Sequence, residues 1–162
     1  MKDLQIRDQS DVTLFSQKTF DNDKNNWGHH LLLAIAGGTA ISGFVMDMNR
    51  THMFNPRWTP HSKFHDAITI MNGTFLGSAA LYFLLSKKQR NKSGLGMGAF
   101  LPGIFWGSLL SAFAFPGAKG IESEFPEKVP KIGNVAINES AAASLTLLLL
   151  VVGYIKARKK NL

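Results

Sequence analysis

Four long stretches of the chain carry no Asp, Glu, Lys or Arg, and polar connections separate them. They cover residues 27–46, 67–86, 93–118 and 140–155. Crossing a hydrocarbon layer of roughly 30 Å takes about 20 mostly apolar helical residues, a length that the first three stretches reach. The fourth reaches it only if its helix begins near Val135. Helices of a soluble bundle would carry charge on their outer faces, so the pattern predicts an all-α fold, an integral membrane four-helix bundle.

The same pattern divides the chain into segments. We predict membrane spans at about 27–48, 66–86, 94–116 and 135–155. These spans make up a transmembrane domain of residues 27–156. Residues 1–26 are polar without a regular helical period and predict a cytoplasmic tail, and residues 157–162 predict a short basic tail. The connection 86–93 is short and basic, so the second and third helices are predicted to be antiparallel neighbours.

The positions of the positive charges predict how the bundle is oriented. The net charge is +7, and twelve of the eighteen lysines and arginines lie in the two tails and the second connection, which an even number of spans puts on one side. Positive charge clusters on the cytoplasmic side of membrane proteins. The sequence therefore predicts a multi-pass protein of the cell membrane with both termini in the cytoplasm and the lipid bilayer as its partner.

Composition excludes some classes of function. The chain has no cysteine, so disulfides, thiolate nucleophiles and cysteine metal sites are excluded. The basic runs are not interleaved with base-stacking aromatic residues, so no nucleic-acid partner is expected.

Small residues recur at intervals of four within three of the predicted spans. The pairs are Gly38 with Ser42, Gly73 with Gly77, and Gly103 with Gly107. Small residues at this spacing let helix backbones approach closely in lipid. They predict either packing inside the bundle or a homo-oligomer built through these Gly-x-x-x-Gly faces, and the sequence leaves both open.

The connection between the first two spans, HMFNPRWTPHSKFH, concentrates histidine, proline and aromatic residues. Thr59 is suited to cap a helix whose first residue is Pro60. His61 and His65 then share one helix face. That face continues through Thr69 to Asn72, and a polar side chain within a span must find a partner. We therefore expect the stripe to point inward, with Asn72 at the floor of a pocket.

The first and third connections lie at the same predicted extracytoplasmic mouth, which brings acids towards the histidines. His61 and His65 are the predicted groups for proton transfer or head-group binding, with Asp47 orienting one of them. Glu122 or Glu139 is the predicted acidic partner. The predicted ligand contacts are Arg50, Trp58, Thr69 and Asn72.

Three functions compete at this stage, and the sequence does not decide whether the protein is an enzyme. The first is binding, with or without transformation, of a small lipophilic molecule that has a polar head. The second is a non-catalytic metal-binding or assembly subunit, in which His52, His61 and His65 hold a divalent ion such as zinc, iron or manganese. The third is a small oligomeric transporter. The spacing His-x8-His-x3-His matches no motif with an established mechanism.

The run MDMNRTHMFNPRWTPHSKFH, followed by an apolar helix, resembles a family of uncharacterised small four-helix membrane proteins of fungi and bacteria. Their first connection has a similar Asn-Pro-x-Trp-x-Pro-His-x-Lys-Phe-His pattern. The resemblance implies a characteristic patch made of Asn55, Pro56, Trp58, Pro60, His61, Lys63, Phe64 and His65. Some members are labelled acetyltransferases, but this sequence has no acyl-donor site that matches the label. The resemblance implies no reaction.

Overall fold

A computed structural model describes residues 26–89 and 91–160 of the chain. Within them lie four long helices: α1 (Trp27–Met46), α2 (Pro60–Leu85), α3 (Lys92–Ala112) and α4 (Glu139–Lys160). All four are long and apolar enough to cross a membrane. The predicted all-α four-helix bundle is confirmed. Nearly all of the predicted N-terminal tail, residues 1–25, lies outside the described residues, as do residues 161–162.

The helices pack in a ring in chain order. Helix α1 packs against α2 and α4, and α3 packs against the same two helices from the other side. Contacts such as Gly43 with Ile70 and Gly77 with Ala36 run in opposite directions along α1 and α2, so these two helices are antiparallel. The short connection between α2 and α3 contains a 3-10 turn, Lys87–Gln89, and makes these two helices neighbours as predicted.

Glycines allow α1 and α2 to touch through their backbones. A methyl group built on Gly77 would stand 2.6 Å from the carbonyl oxygen of Ala36 and 2.7 Å from Cα of Ala40. Gly73 faces the carbonyl oxygen of Thr39 in the same way, at 3.1 Å. The prediction that Gly73 and Gly77 serve packing inside the bundle is therefore confirmed.

The other predicted small-residue faces are open. Among the described residues, a methyl group on Gly38 or Gly107 would meet no heavy atom within 4 Å, and one on Gly103 would meet only Leu150, at 4.0 Å. Homo-oligomerisation through these faces stays a prediction.

The best-packed core lies towards one end of the bundle. Its buried members include Leu32, Leu84, Leu95 and Ala157, which come from the start of α1, the end of α2, the start of α3 and the end of α4. We call this the basic end, because the lysines of the second connection and of the α4 terminus lie there. The opposite end, which carries the two longer connections, is called the pocket end.

Large apolar side chains cover the outside of the helices. Phe75, Phe100 and Leu148 each expose about 60% or more of their surface. In water such a surface would be costly, whereas in lipid it is favourable. The fold fits a multi-pass membrane protein.

Local signals explain where the helices at the pocket end begin. The Thr59 hydroxyl accepts a hydrogen bond from the backbone N–H of Ser62 at 3.1 Å, and Pro60 is the first residue of α2, as predicted. Helix α4 begins at Glu139 and not near Val135. The reason is a two-stranded antiparallel hairpin in which β1 (Lys131–Ile132) pairs with β2 (Val135–Ala136). Gly133, with φ +60°, makes the turn.

Candidate functional site

A cavity of about 480 Å³ opens at the pocket end of the bundle. Ligand pockets in proteins commonly have volumes of about 300–1,000 Å³. Its wall is apolar where it enters the bundle, and its rim is polar where the connections meet. Its lining includes Gly43, Met46, Phe105, Trp106, Leu109, Ile121, Val129 and Ala142 in the wall, and Asp47, Asn49, Arg50, Thr51, His52, Lys128, Asn138 and Glu139 at the rim.

Asp47 and His52 are an acid–imidazole pair at the rim. Asp47 is the C-cap residue that follows α1, and its Oδ1 lies 3.9 Å from Nε2 of His52. The loop folds back on itself because the N–H of Met53 donates a hydrogen bond to the carbonyl oxygen of Asp47 at 3.0 Å. The Trp58 ring meets the His52 ring edge-on with centroids 5.5 Å apart, a second contact that positions the imidazole.

A short hydrogen-bond relay assigns the tautomer of His52. The Thr51 hydroxyl donates to Oδ1 of Asn49 at 2.6 Å, and Oγ1 of Thr51 lies 2.9 Å from Nδ1 of His52. A hydroxyl has one hydrogen to donate. Because that hydrogen is used on Asn49, Thr51 accepts from His52, so Nδ1 carries the imidazole hydrogen. The Nε2 atom, which carries no hydrogen in this tautomer, therefore faces the Asp47 carboxyl.

The local environment raises the pKa of the Asp47 carboxyl towards neutral pH. Burial raises its pKa from 3.8 to about 6; His52 nearby lowers it, and the negative charges of Asp66 and Glu139 raise it. A carboxyl with a pKa near 6 next to an imidazole forms a pair that can take up or release a proton near neutral pH.

The apolar wall is held by a partly buried hydrogen bond between α1 and α3. The indole Nε1–H of Trp106 donates to Oγ1 of Thr39 at 2.9 Å, and the Thr39 hydroxyl donates to the carbonyl oxygen of Ile35 at 2.8 Å. Thr39 is only 1% exposed. This chain satisfies both polar groups inside the bundle and fixes the Trp106 ring in the wall of the cavity.

The two predicted glutamates fasten the third connection to the start of α4. Both carboxylate oxygens of Glu139 accept from the N–H of Ile121, at 3.0 and 3.3 Å. The side-chain amide of Asn138 donates to Oε1 of Glu122 at 2.8 Å. Both carboxylates approach Gly120, where any side chain would collide with them. Glu139 thus reaches the rim as predicted, whereas Glu122 lies beside it, outside the lining.

The predicted pair His61 and His65 lies elsewhere. Both are exposed on the outer face of α2, outside the cavity lining, with their Nε2 atoms 3.1 Å apart. Thr69 and Asn72 are exposed on the same face. The prediction that this polar stripe points inward is wrong, because the face that carries Ile70, Gly73 and Gly77 packs against α1 instead.

The predicted three-histidine metal site is not assembled. His52 contacts Asp47 and Trp58 at the rim, while His61 and His65 contact each other. In the part of the chain that the structure describes, no three His, Asp or Glu side chains are grouped closely enough to hold a metal ion. Of the predicted ligand contacts, Arg50 lines the rim, and Trp58 reaches the site through His52.

Several residues of the site were not predicted from the sequence. Thr51 assigns the His52 tautomer, Trp106 forms the wall, and Asp66 raises the pKa of Asp47. Asn55, which the resemblance did place in the characteristic patch, is 1% exposed and ties the loop together, since its amide donates to the carbonyl oxygen of Thr51 and its Oδ1 accepts from the N–H of Arg57. Only one feature of the sequence could have drawn attention to Asp66: it is an acidic residue directly after His65, at the start of a predicted span.

Comparisons with known proteins give a family but no activity. No curated protein and no solved structure matches the chain. The model of a family of unknown function, DUF6640, matches residues 32–161, a range that includes both connections at the pocket end and most of the four helices. The chain belongs to this family, DUF6640.

Proposed function

We propose that the protein binds a small amphiphilic molecule in the cavity at the pocket end. The apolar part of the molecule lies against Phe105, Trp106 and Leu109, and its polar head lies at Asp47 and His52. The observation that carries this proposal is the continuity of the cavity, about 480 Å³ in volume, from an apolar wall within the bundle to an acid–imidazole pair at the rim.

The lining supports an amphiphile over a fully polar solute. Most of the cavity wall consists of apolar side chains supplied by α1, α3 and the third connection, and burial of apolar ligand surface there is favourable. The helices that carry these side chains are apolar enough to lie in a membrane, where lipophilic molecules concentrate.

The rim supports a head group that both donates and accepts hydrogen bonds. Asp47 and Glu139 offer carboxylate oxygens, while Arg50 and Lys128 offer positive charge. Such a mixed rim does not favour a simple anion or a simple cation. It suits a hydroxyl, amine or zwitterionic head. The Asp47–His52 pair gives the site a group that can exchange a proton with that head.

The distribution of charge supports an orientation. The lysines of the second connection and of the α4 terminus cluster at the basic end, and such clusters lie on the cytoplasmic side. The pocket end then faces away from the cytoplasm, with its cavity at the level of the outer head groups.

The test is mass spectrometry of small molecules extracted from the protein after purification in mild detergent. Wild-type protein is expected to retain an amphiphile in a stoichiometric amount. Leu109→Trp fills the cavity and should abolish retention, whereas Leu148→Trp adds the same bulk on the outer face, where Leu148 is 60% exposed, and should not. Equal retention by both variants would refute the proposal.

A second comparison separates head-group recognition from apolar burial. Asp47→Asn and His52→Ala should each reduce retention, since each removes one member of the pair. The double variant His61→Ala/His65→Ala is the matched control because these histidines lie outside the lining, and it should retain the molecule as wild type does. If only this control variant loses the bound molecule, the binding site lies on the outer face of α2 and the proposal is wrong.

A further inference from the structure

His61 and His65 form a compact pair that the cavity does not use. Their Nε2 atoms lie 3.1 Å apart, and their ring centroids lie 4.5 Å apart at an interplanar angle of 80°. Both side chains are exposed on the first turns of α2. The two nitrogens therefore lie within hydrogen-bond distance of each other at the surface, close enough for one ion to reach both.

We propose that His61 and His65 chelate one divalent transition-metal ion through their Nε2 atoms. Imidazole nitrogens bind zinc at about 2.0–2.1 Å. With this bond length, two nitrogens on one ion lie about 2.9 Å apart if the N–metal–N angle is 90°, and about 3.4 Å apart if it is tetrahedral. The observed separation of 3.1 Å falls between these values, so an ion can bind both nitrogens with little movement of either ring.

The surroundings hold the two rings in this arrangement. The helix start is fixed by the Thr59 cap, so positions 61 and 65 are already one turn apart on a formed helix. Phe64 stacks on the His61 ring with the planes 14° apart and meets the His65 ring edge-on at 5.8 Å. Because the pair is pre-arranged, less side-chain entropy is lost when an ion binds.

The two imidazoles leave the rest of the coordination sphere to water. Within residues 26–89 and 91–160 no third His, Asp or Glu joins the pair closely enough to complete a site. Two nitrogen donors with open positions favour the later first-row metals, with Cu²⁺ bound more tightly than Ni²⁺ or Zn²⁺. The site is thus an exchangeable two-histidine site at the surface, and it shares no side chain with the cavity.

The experiment uses the full chain without a polyhistidine tag, stripped with a chelator in mild detergent and titrated with Cu²⁺. Electron paramagnetic resonance should show one ion per chain with hyperfine splitting from two imidazole nitrogens. His61→Ala and His65→Ala should each weaken binding at least about tenfold, equivalent to about 1.4 kcal/mol, and leave a one-imidazole spectrum.

Matched controls remove histidines elsewhere. His30→Ala, at the basic end, and His52→Ala, at the rim, should leave affinity and spectrum unchanged. His61→Gln and His65→Gln keep a polar side chain of similar size, so the proposal stays testable if an alanine variant folds poorly. Wild-type affinity in the double variant His61→Gln/His65→Gln would overturn the proposal, as would loss of binding in His52→Ala alone. Retention of the amphiphile is a separate measurement, so the two proposals can fail independently.

Discussion

Nε2 of His52 faces Oδ1 of Asp47 across 3.9 Å, while the other ring nitrogen of His52 is held by Thr51. This relationship places a carboxyl group and an imidazole side by side at the rim of the cavity. It also makes the loop after α1, and not the start of α2, the part of the chain that carries the chemistry of the candidate site.

The pKa of Asp47 predicts a pH-dependent stability. Burial raises this pKa from 3.8 to about 6, so between these values the folded protein binds more protons than the unfolded chain. The stability contributed by Asp47 is then fully present below pH 4 and is lost as pH rises through 6. Asp47→Asn mimics the protonated form and should melt higher than wild type at pH 7 by a few degrees, at about 2–4 °C per kcal/mol.

The control for this prediction is the same comparison at low pH. At pH 4 the melting temperatures of wild type and Asp47→Asn should converge, because wild-type Asp47 is then protonated. A variant that melts below wild type at pH 7 would contradict the raised pKa. Under the proposed function the same substitution lowers ligand retention, so stability and binding should change in opposite directions.

The hydrogen bond between Thr39 and Trp106 predicts that substitutions of the two residues will not have additive effects on stability. Thr39→Val leaves the indole N–H without its acceptor inside the bundle and should cost about 1–3 kcal/mol. Trp106→Phe removes the donor but also changes the wall, so the bond is isolated by a double-mutant cycle of Thr39→Val, Trp106→Phe and the double variant Thr39→Val/Trp106→Phe. Thermal unfolding of the set in one detergent should show the double variant less destabilised than the sum of the singles. Strict additivity would mean that the bond contributes nothing.

The glycines predict a contrast between two chemically identical substitutions. Gly77→Ala drives a methyl group against the backbone of α1 and should destabilise the bundle by about 1–3 kcal/mol through overpacking. Gly107→Ala meets open space among the described residues and should leave the melting temperature unchanged or raise it. If Gly107→Ala instead lowers stability and changes the mass of the detergent complex, the α3 face is an oligomer interface.

The absence of cysteine allows the orientation to be measured directly. Single substitutions Ser123→Cys, in the third connection, and Lys88→Cys, in the second, introduce one thiol each at exposed positions at opposite ends of the bundle. In intact cells an impermeant maleimide should label Ser123→Cys and spare Lys88→Cys until the cells are lysed. The reverse pattern would place the cavity on the cytoplasmic side.

The fold could be predicted from the sequence because membrane spans depend on a single strong signal, the absence of charge over a long stretch. The start of α4 was less predictable. The hydropathy of the neighbouring residues does not show that Val135 pairs with Ile132 in a hairpin. Because of this pairing, the helix begins only at Glu139.

The site was predicted only in part, for a physical reason. A 3.6-residue period groups His61, His65 and Asn72 on one face of α2, but it does not say which face is buried. Here the close backbone contact at Gly73 and Gly77 decides the rotation of the helix and turns the polar stripe outward. The role of His52 depends on hydrogen bonds within the loop to Thr51 and Asn49, which no spacing rule predicts.

The most direct test of the central claim is an experimental structure of the protein in lipid nanodiscs, at a resolution that shows small molecules. The account predicts elongated density in the cavity between Phe105 and Leu109, ending in a head group within hydrogen-bond distance of Asp47 or Nε2 of His52. A cavity closed by Trp106, or filled with water alone, would contradict it.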